Sequence, residues 1–296
     1  MEKNIITIVT PVYNRSNLLG RLYESLIKQT DLDFDWLIVD DGSTDNVRNV
    51  VEHFIKDNIL NIKYIFQKNQ GKYVAHNTGV RNCETELFVC VDSDDWLLPE
   101  AICETKKAWE RIKNDVKICG IVSPKKIDGV GGLMKNPPCK SSLMGLYNSG
   151  CLTGETMLVY KTDILKKFLF PEIVGEKFMS ESVIYNQIDK EYVMYVQNVF
   201  LYEAEYQNNG LTRNIMKTHW NNPKSTLINY AVSAAFQESF VKSAKAYGCM
   251  LAWKKIHNLP EKEFWKIKYS VRVLGNLLKW HYIRVFRRQK KKLEVI

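Results

Sequence analysis

The chain has 296 residues, of which 45% are hydrophobic and 25% charged, with seven cysteines and a formal net charge of +9. That length suits one large domain, or one domain carrying an extension, and the composition excludes a disordered chain. No apolar run reaches the ~18 residues of a membrane-spanning helix. The scattered cysteines offer neither a C-x-x-C metal pair nor a disulfide framework, and read as reduced thiols.

In chain order, short apolar runs alternate with helix-like stretches. The N-terminal residues MEKNIITIVTPVYN lack the apolar core of a secretion signal and read as a first strand. The apolar runs are Ile5–Val9, Trp36–Val39, Ile62–Phe66, Leu87–Val91 and Ile118–Val122. Between them lie Leu18–Gln29, Asp45–Lys56, Lys72–Asn82 and Pro99–Lys113, each patterned as a helix. This alternation predicts βαβ units and a mostly parallel sheet, an α/β fold. Residues 124–150 are rich in Gly, Pro, Lys and Ser and read as a loop or crossover. Mixed structure resumes over 151–212. Helical patterns then cover 224–247, 249–258 and about 261–288.

Parallel sheets bind ligands beyond the carboxyl ends of their strands, so polar clusters are expected directly after the apolar runs. Four follow in turn: Thr10-Pro11-Val12-Tyr13-Asn14-Arg15, Asp40-Asp41-Gly42-Ser43-Thr44-Asp45, Gln67-Lys68-Asn69-Gln70-Gly71-Lys72 and Asp92-Ser93-Asp94-Asp95. Three acids within four residues repel one another unless a cation or a donor sits among them. Asp92 and Asp94 are therefore candidate ligands for Mg²⁺ or Mn²⁺, ions that also grip diphosphate oxygens. The alternative is a solvated acidic turn in which Asp95 caps the following helix.

Taken together, these clusters resemble the successive motifs of glycosyltransferase family 2, in the family's order and spacing. The third contributes Asn69-x-Gly71-Lys72-x-x-Ala75-x-Asn77-x-Gly79. The resemblance covers residues 4–100 closely and runs more weakly to about 215. It implies the GT-A (Rossmann-like) fold and a metal-dependent transferase using a nucleotide-sugar donor, with UDP the expected nucleotide. It implies that Tyr13 lies beside the base, with Pro11 and Arg15 shaping the pocket. One acid of Asp40-Asp41 would accept a hydrogen bond from the base, and Lys72 would lie near the nucleotide or its diphosphate. Asp92 would face ribose and metal, and Asp94 would be the main metal ligand. Side-chain chemistry agrees: an aromatic stacks on a base, an acid reads an N–H, and acids with a cation hold phosphates. Asp41 and Asp45 also suit a purely structural loop-to-helix turn.

The stretch from Phe170 to Ser182, FPEIVGEKFMSES, resembles the family segment that ends in the catalytic acid. That match makes Glu181 the general base. Ser180-Glu181-Ser182 replaces the family's usual acidic pair, which makes Glu176 the rival, with Glu172 behind it. Gly154-Glu155-Thr156 and the segment Tyr206 to Thr212 resemble loops that border sugar and phosphates. His219 is a weaker candidate metal ligand.

The organisation expected is a GT-A catalytic domain over residues 1–222, with a nucleotide-sugar half to about 123, and a helical extension over 223–296. Residues 277–296 alone carry +6, from seven Lys and Arg against Glu294. Phe264, Ile267, Val271, Leu274, Leu278, Tyr282 and Val285 form one helical face. Trp265, Tyr269, Trp280, Ile283 and Phe286 lie among basic residues on the other. Aromatics interleaved with Lys and Arg suit an anionic membrane surface. A protein partner or homo-oligomer contact is the rival, and no nucleic-acid motif accompanies the basic run.

The function expected is inverting sugar transfer to a hydroxyl of a saccharide or lipid-linked saccharide, in bacterial surface polysaccharide or glycolipid assembly. The place expected is cytoplasmic, peripheral on the inner face of the cell membrane. A non-catalytic nucleotide-sugar-binding or scaffolding relative is the alternative. Nucleotidylyl transfer is disfavoured, because TPVYNR lacks a glycine-rich phosphate loop.

Overall fold

A computed structural model describes residues 4–205, 214–260 and 265–293. The chain divides into two compact units: Met1–Leu169 with Glu191–Asn208, and Phe170–Lys190 with Asn209–Ile296.

The first unit is built on an eight-stranded sheet. Its strands are β1 (Ile6–Val12), β2 (Asp35–Asp40), β3 (Asn61–Phe66), β4 (Leu87–Cys90), β6 (Ile118–Pro124), β8 (Lys140–Ser141), β9 (Thr156–Lys161) and β10 (Val193–Val196). A small second sheet takes β5 (Trp96–Leu97), β7 (Lys126–Ile127) and β11 (Tyr202–Ala204), in the order β5-β11-β7. In the large sheet the order is β3-β2-β1-β4-β9-β6-β10-β8. β3, β2, β1 and β4 run parallel, as do β6 and β10. β9 runs antiparallel between β4 and β6, and β8 antiparallel along β10.

The predicted helices are present as α1 (Leu19–Ile27), α2 (Val47–Asp57), α3 (Lys72–Asn82) and α4 (Ala101–Ile112). Residues 124–150 are mostly loop, punctuated by β7, β8 and α5 (Leu143–Asn148), and α6 (Thr162–Leu165) follows β9. β1 and β6 are buried along their whole length, which is why they read as continuous apolar runs. Tyr23, Phe54 and Trp36 stack between α1, α2 and β2, with the Tyr23 and Phe54 rings 4.1 Å apart. All seven cysteines are thiols outside any disulfide.

Helix α3 lies against β1 and β2. Ala75 and Asn77 are fully buried, and a Cβ on Gly79 would come within 2.4 Å of Val9 Cγ1. The small residues of the third motif thus let the helix approach the sheet, which brings its first residue, Lys72, to the strand ends.

The second unit holds α7 (Ser182–Ile188), α8 (Ile215–Asn221), α9 (Pro223–Phe236), α10 (Phe240–Ile256) and α11 (Tyr269–Leu293). The single helix expected over 224–247 is two. Gln237 turns extended, with ψ of 138°, and the Ser239 hydroxyl caps α10 by accepting from the Lys242 N–H. No Gly or Pro marks that break; a hydroxyl cap alone makes it. Residues 249–258 continue α10 instead of forming a separate helix.

Glu176 is buried, and its carboxylate accepts the Lys224 and Ser225 backbone N–H groups at 2.8 and 2.7 Å. It therefore caps α9 from a distant part of the chain, where the helix N-terminus favours negative charge. His219 Nδ1 lies 3.0 Å from Thr226 Oγ1 and its ring packs edge-on to Phe178. Among the described residues, no helix is long and apolar enough to cross a membrane.

Replacing Gly79 with Ala should destabilise the fold by about 1–3 kcal/mol through overpacking against Val9. Val9→Ala in the same chain should recover part of that loss, because it removes the atom the new methyl meets. Urea unfolding of the two single variants and the double variant measures the coupling.

Candidate active site

The carboxyl ends of β1, β2, β3 and β4 form one rim, and the four polar clusters stand on it. Hydrogen bonds between the loops account for many of the motif residues. Asn14 Oδ1 accepts the Thr44 N–H at 2.8 Å, the Ser43 hydroxyl accepts the Asn14 N–H at 3.0 Å, and Asp45 accepts the Ser16 N–H at 2.9 Å. The first and second clusters are thereby joined, with Asn14 in the left-handed region at φ of 50°. Pro11 is buried within β1 opposite Val39.

Asp40 and Asp41 are both 2% exposed and serve different partners. Asp40 accepts the Tyr64 hydroxyl at 2.6 Å and the Ser43 N–H at 2.7 Å. Burial, followed by the bond to Asp40, raises the Tyr64 pKa, which keeps its phenol a donor. Asp41 accepts from the Gln67 side chain at 2.7 Å, the Gln70 N–H at 2.9 Å and the Gly71 N–H at 2.7 Å. It thus fixes the loop that leads into α3 and aims Lys72. Tyr13, by contrast, is 46% exposed at the rim.

The acidic turn after β4 is neutralised residue by residue. Lys72 Nζ lies 2.8 Å from both carboxylate oxygens of Asp92. Arg15 pairs with Asp94, and Arg21 donates to the Asp94 carbonyl while its guanidinium lies 4.3 Å above the Trp96 ring. Asp95 is buried and accepts the Tyr202 hydroxyl at 2.7 Å, with Lys125 Nζ 3.9 Å away. Tyr202 in turn accepts the Asp92 N–H at 3.1 Å, and the Lys125 ammonium sits 3.7 Å above its ring. Three acids thus meet three cations delivered by β1, α3 and the end of β6.

The two ends of this turn titrate in opposite directions. Burial raises the Asp92 pKa, but Lys72, Lys125 and Arg15 outweigh it and hold the carboxyl below its usual range. Asp95 is pushed up to about 7 by burial and then by the Asp92 charge, with Lys125 and the Tyr202 bond opposing. Tyr202 is raised by burial and by the neighbouring carboxylates, so it remains a phenol.

Among the described residues no cluster of three or more His, Cys, Asp or Glu is placed to hold a metal. Asp92 and Asp94 are nevertheless partly exposed, at 34% and 19% of their side chains. Two partly exposed rim carboxylates are of the chemistry that would suit an ion such as Mg²⁺ or Mn²⁺.

Lys125, Tyr202 and Arg21 were not singled out from the sequence. Lys125 had a signal, because it follows an apolar run as the other clusters do. Tyr202 had none: β11 lies more than a hundred residues from the turn it supports. Near Lys125, whose N–H donates to the Glu155 carbonyl at 3.0 Å, Gly154 turns with φ of 90°. Glu181 is exposed and precedes α7 in the second unit. The segment Tyr206 to Thr212 lies outside the described residues.

Between about pH 4 and 7 the folded chain keeps the Asp95 proton that the unfolded chain has lost. This group therefore weakens the fold as pH rises through that window. The Tm of Asp95→Asn relative to the unaltered chain should rise from pH 5 to pH 8, as followed by circular dichroism.

A model of the family described as glycosyl transferase family 2 matches residues 7–169, more than half of the chain. Chondroitin synthase of Escherichia coli is 34% identical over 134 residues, which cover 45% of this chain and 19% of that protein. The chain thus spans about a fifth of that relative's length. Residues 1–349 of S. aureus TarS, solved with UDP-GlcNAc, superpose with a TM-score of 0.60 at 18% identity, covering 98% of this chain and 91% of that one. The mannosyltransferase PcManGT of Pyrobaculum calidifontis, solved with GDP-Man and Mn²⁺, gives 0.51 at 15% identity, covering 93% and 87%. These likenesses show the GT-A fold, a mostly parallel sheet flanked by helices, with helices following it. With the four motifs, the rim they build and the family match in agreement, the chain belongs to glycosyl transferase family 2.

Proposed function

We propose that this glycosyltransferase moves a sugar from a UDP-sugar to a hydroxyl acceptor with inversion at the anomeric carbon. The observation that carries the reading is the set of exchangeable ion pairs at the strand ends, Lys72 with Asp92 and Arg15 with Asp94. A diphosphate entering with a divalent cation lets each pair trade partners. Asp92 and Asp94 would then hold the cation while Lys72 and Arg15 hold phosphate oxygens, so that no charge is left uncompensated. Tyr13 stacks on the base, with Pro11 and Arg15 bordering it. One acid of Asp40 and Asp41 reads the base N–H; Asp40 is favoured because it accepts two hydrogen bonds from the protein where Asp41 accepts three.

Asp94 and Asp92 would hold Mn²⁺ or Mg²⁺ in this reading. The ion would supply charge neutralisation of the leaving diphosphate. Lys72 and Arg15 share that charge. Glu181 takes the proton from the acceptor hydroxyl as its oxygen attacks the anomeric carbon. Glu176 is an unsuitable base, since both of its oxygens accept backbone N–H groups of α9. A UDP donor is supported by the TarS complex, and a divalent ion by PcManGT. The acceptor is a saccharide or lipid-linked saccharide in bacterial surface polysaccharide or glycolipid assembly, a setting supported by the likeness to chondroitin synthase. Residues 1–222 form the catalytic region and 223–296 the extension. The enzyme works in the cytoplasm on the inner face of the cell membrane.

Two sets of variants test this mechanism. Asp94→Ala should abolish Mn²⁺-stimulated release of the nucleoside diphosphate across a panel of UDP-, GDP- and TDP-sugars while leaving the far-UV spectrum unchanged. Full activity of that variant in EDTA would remove the metal role.

Glu181→Gln should lower kcat by about 10²-fold or more with donor affinity nearly kept. Glu176→Gln should instead lower stability by roughly 1–2 kcal/mol, as loss of a charged helix cap does. An active Glu181→Gln beside a folded but inactive Glu176→Gln reverses the assignment.

A further inference from the structure

We infer that the outer face of α11 is a lipid-binding surface, made of an apolar ridge that runs into a basic one and fitted to an anionic phospholipid bilayer. The inference rests on the membrane location proposed above and names the residues that would make the attachment.

Close packing fixes which face of α11 is outermost. A Cβ on Gly275 would come within 2.6 Å of Tyr247 Cδ1 and 2.9 Å of the Ala244 carbonyl oxygen, and one on Gly248 within 3.1 Å of the Gly275 carbonyl oxygen. Helices α10 and α11 therefore meet at glycine against glycine, and α11 cannot rotate without a clash. Its inner side buries Val271, Ile283 and Phe286, the last with its ring 5.2 Å from Trp253. Ile283 and Phe286, placed by the sequence among the membrane-facing aromatics, thus belong to the core of this unit.

What remains outside is a different and more ordered stripe. Tyr269, Val273, Leu277 and Trp280 are 82%, 45%, 74% and 58% exposed. They are followed on the same face by Arg284, Arg287 and Lys291, all exposed. The spacing of four, four, three, four, three and four keeps all seven on one side of a helix. Every charged residue of α11 is Lys or Arg. Lys255 of α10 adds an ammonium 4.4 Å from the Trp280 ring.

Large apolar side chains left bare in sequence with a run of cations match both parts of an anionic bilayer surface. The ridge enters the interface, where Trp and Tyr are favoured, and the cations meet lipid phosphates. A second copy of this chain would bring the same cations against themselves, which the uniform charge disfavours.

The test uses the full chain and co-flotation with vesicles of equal parts phosphatidylglycerol and phosphatidylcholine. Binding should be strong at low salt, fall with added salt to a resistant remainder, and drop to a similar remainder on phosphatidylcholine alone. The triple variant Arg284→Glu, Arg287→Glu, Lys291→Glu should lose about a hundredfold or more in partitioning at low salt. The double variant Leu277→Ser, Trp280→Ser should lose the salt-resistant remainder. Both sets lie on exposed positions, and matched thermal midpoints confirm folding. Variants that bind vesicles as the unaltered chain does, or an unaltered chain that ignores anionic vesicles, overturn the inference. So does a dimer in light scattering that the double variant turns into a monomer. Vesicle binding needs no sugar transfer, so an inactive chain that floats separates this inference from the proposed reaction.

Discussion

The first unit depends on keeping three carboxylates together in the turn after β4. Like charges this close would drive the turn apart or force protonation, and the fold answers with two different devices. At Asp92 and Asp94 it brings cations, Lys72 and Arg15, from the ends of α3 and β1. At Asp95 it uses burial, the Tyr202 phenol and the nearby Lys125. The result is a graded site, with partly exposed ion pairs at the rim and a carboxyl of pKa about 7 behind them. Long, flexible cations sit on the outer acids, whereas the inner acid is buried.

The same requirement explains residues that never touch a ligand. Lys72 reaches Asp92 because α3 lies close on β1, which Gly79 permits, and because Asp41 holds the loop before it. Arg15 reaches Asp94 from a loop whose course is set by Asn14, Ser43, Thr44 and Asp45. A large part of the motif signature is thus scaffolding for two cations and an acidic turn. Tyr13, which projects from that scaffold, is free of such duty and suits a ligand.

In the second unit the governing choice is where charge and aromatic surface are used up. Glu176 is engaged at the N-terminus of α9, where it accepts two backbone N–H groups that lack partners within the helix. Glycine-to-glycine packing of α10 on α11 then decides which aromatics enter the core and which stay outside beside the cations.

The sequence by itself determined the alternation of strands and helices, the rim on which the polar clusters stand, and the family. Those features are local: apolar period, strand-end placement and motif spacing are all written within a few residues. Some tertiary features also left a local trace, as Lys125 did after its apolar run. What only the tertiary structure decided depends on residues far apart in the chain. It assigned Tyr202 to the acidic turn, Glu176 to a helix cap, and Ile283 and Phe286 to the core. It also broke the helix at 237–239, where a single hydroxyl cap competes with a continuous helical pattern. In each of these cases the side chain is of an ordinary type for several roles, and its partner, set by packing, selects one of them.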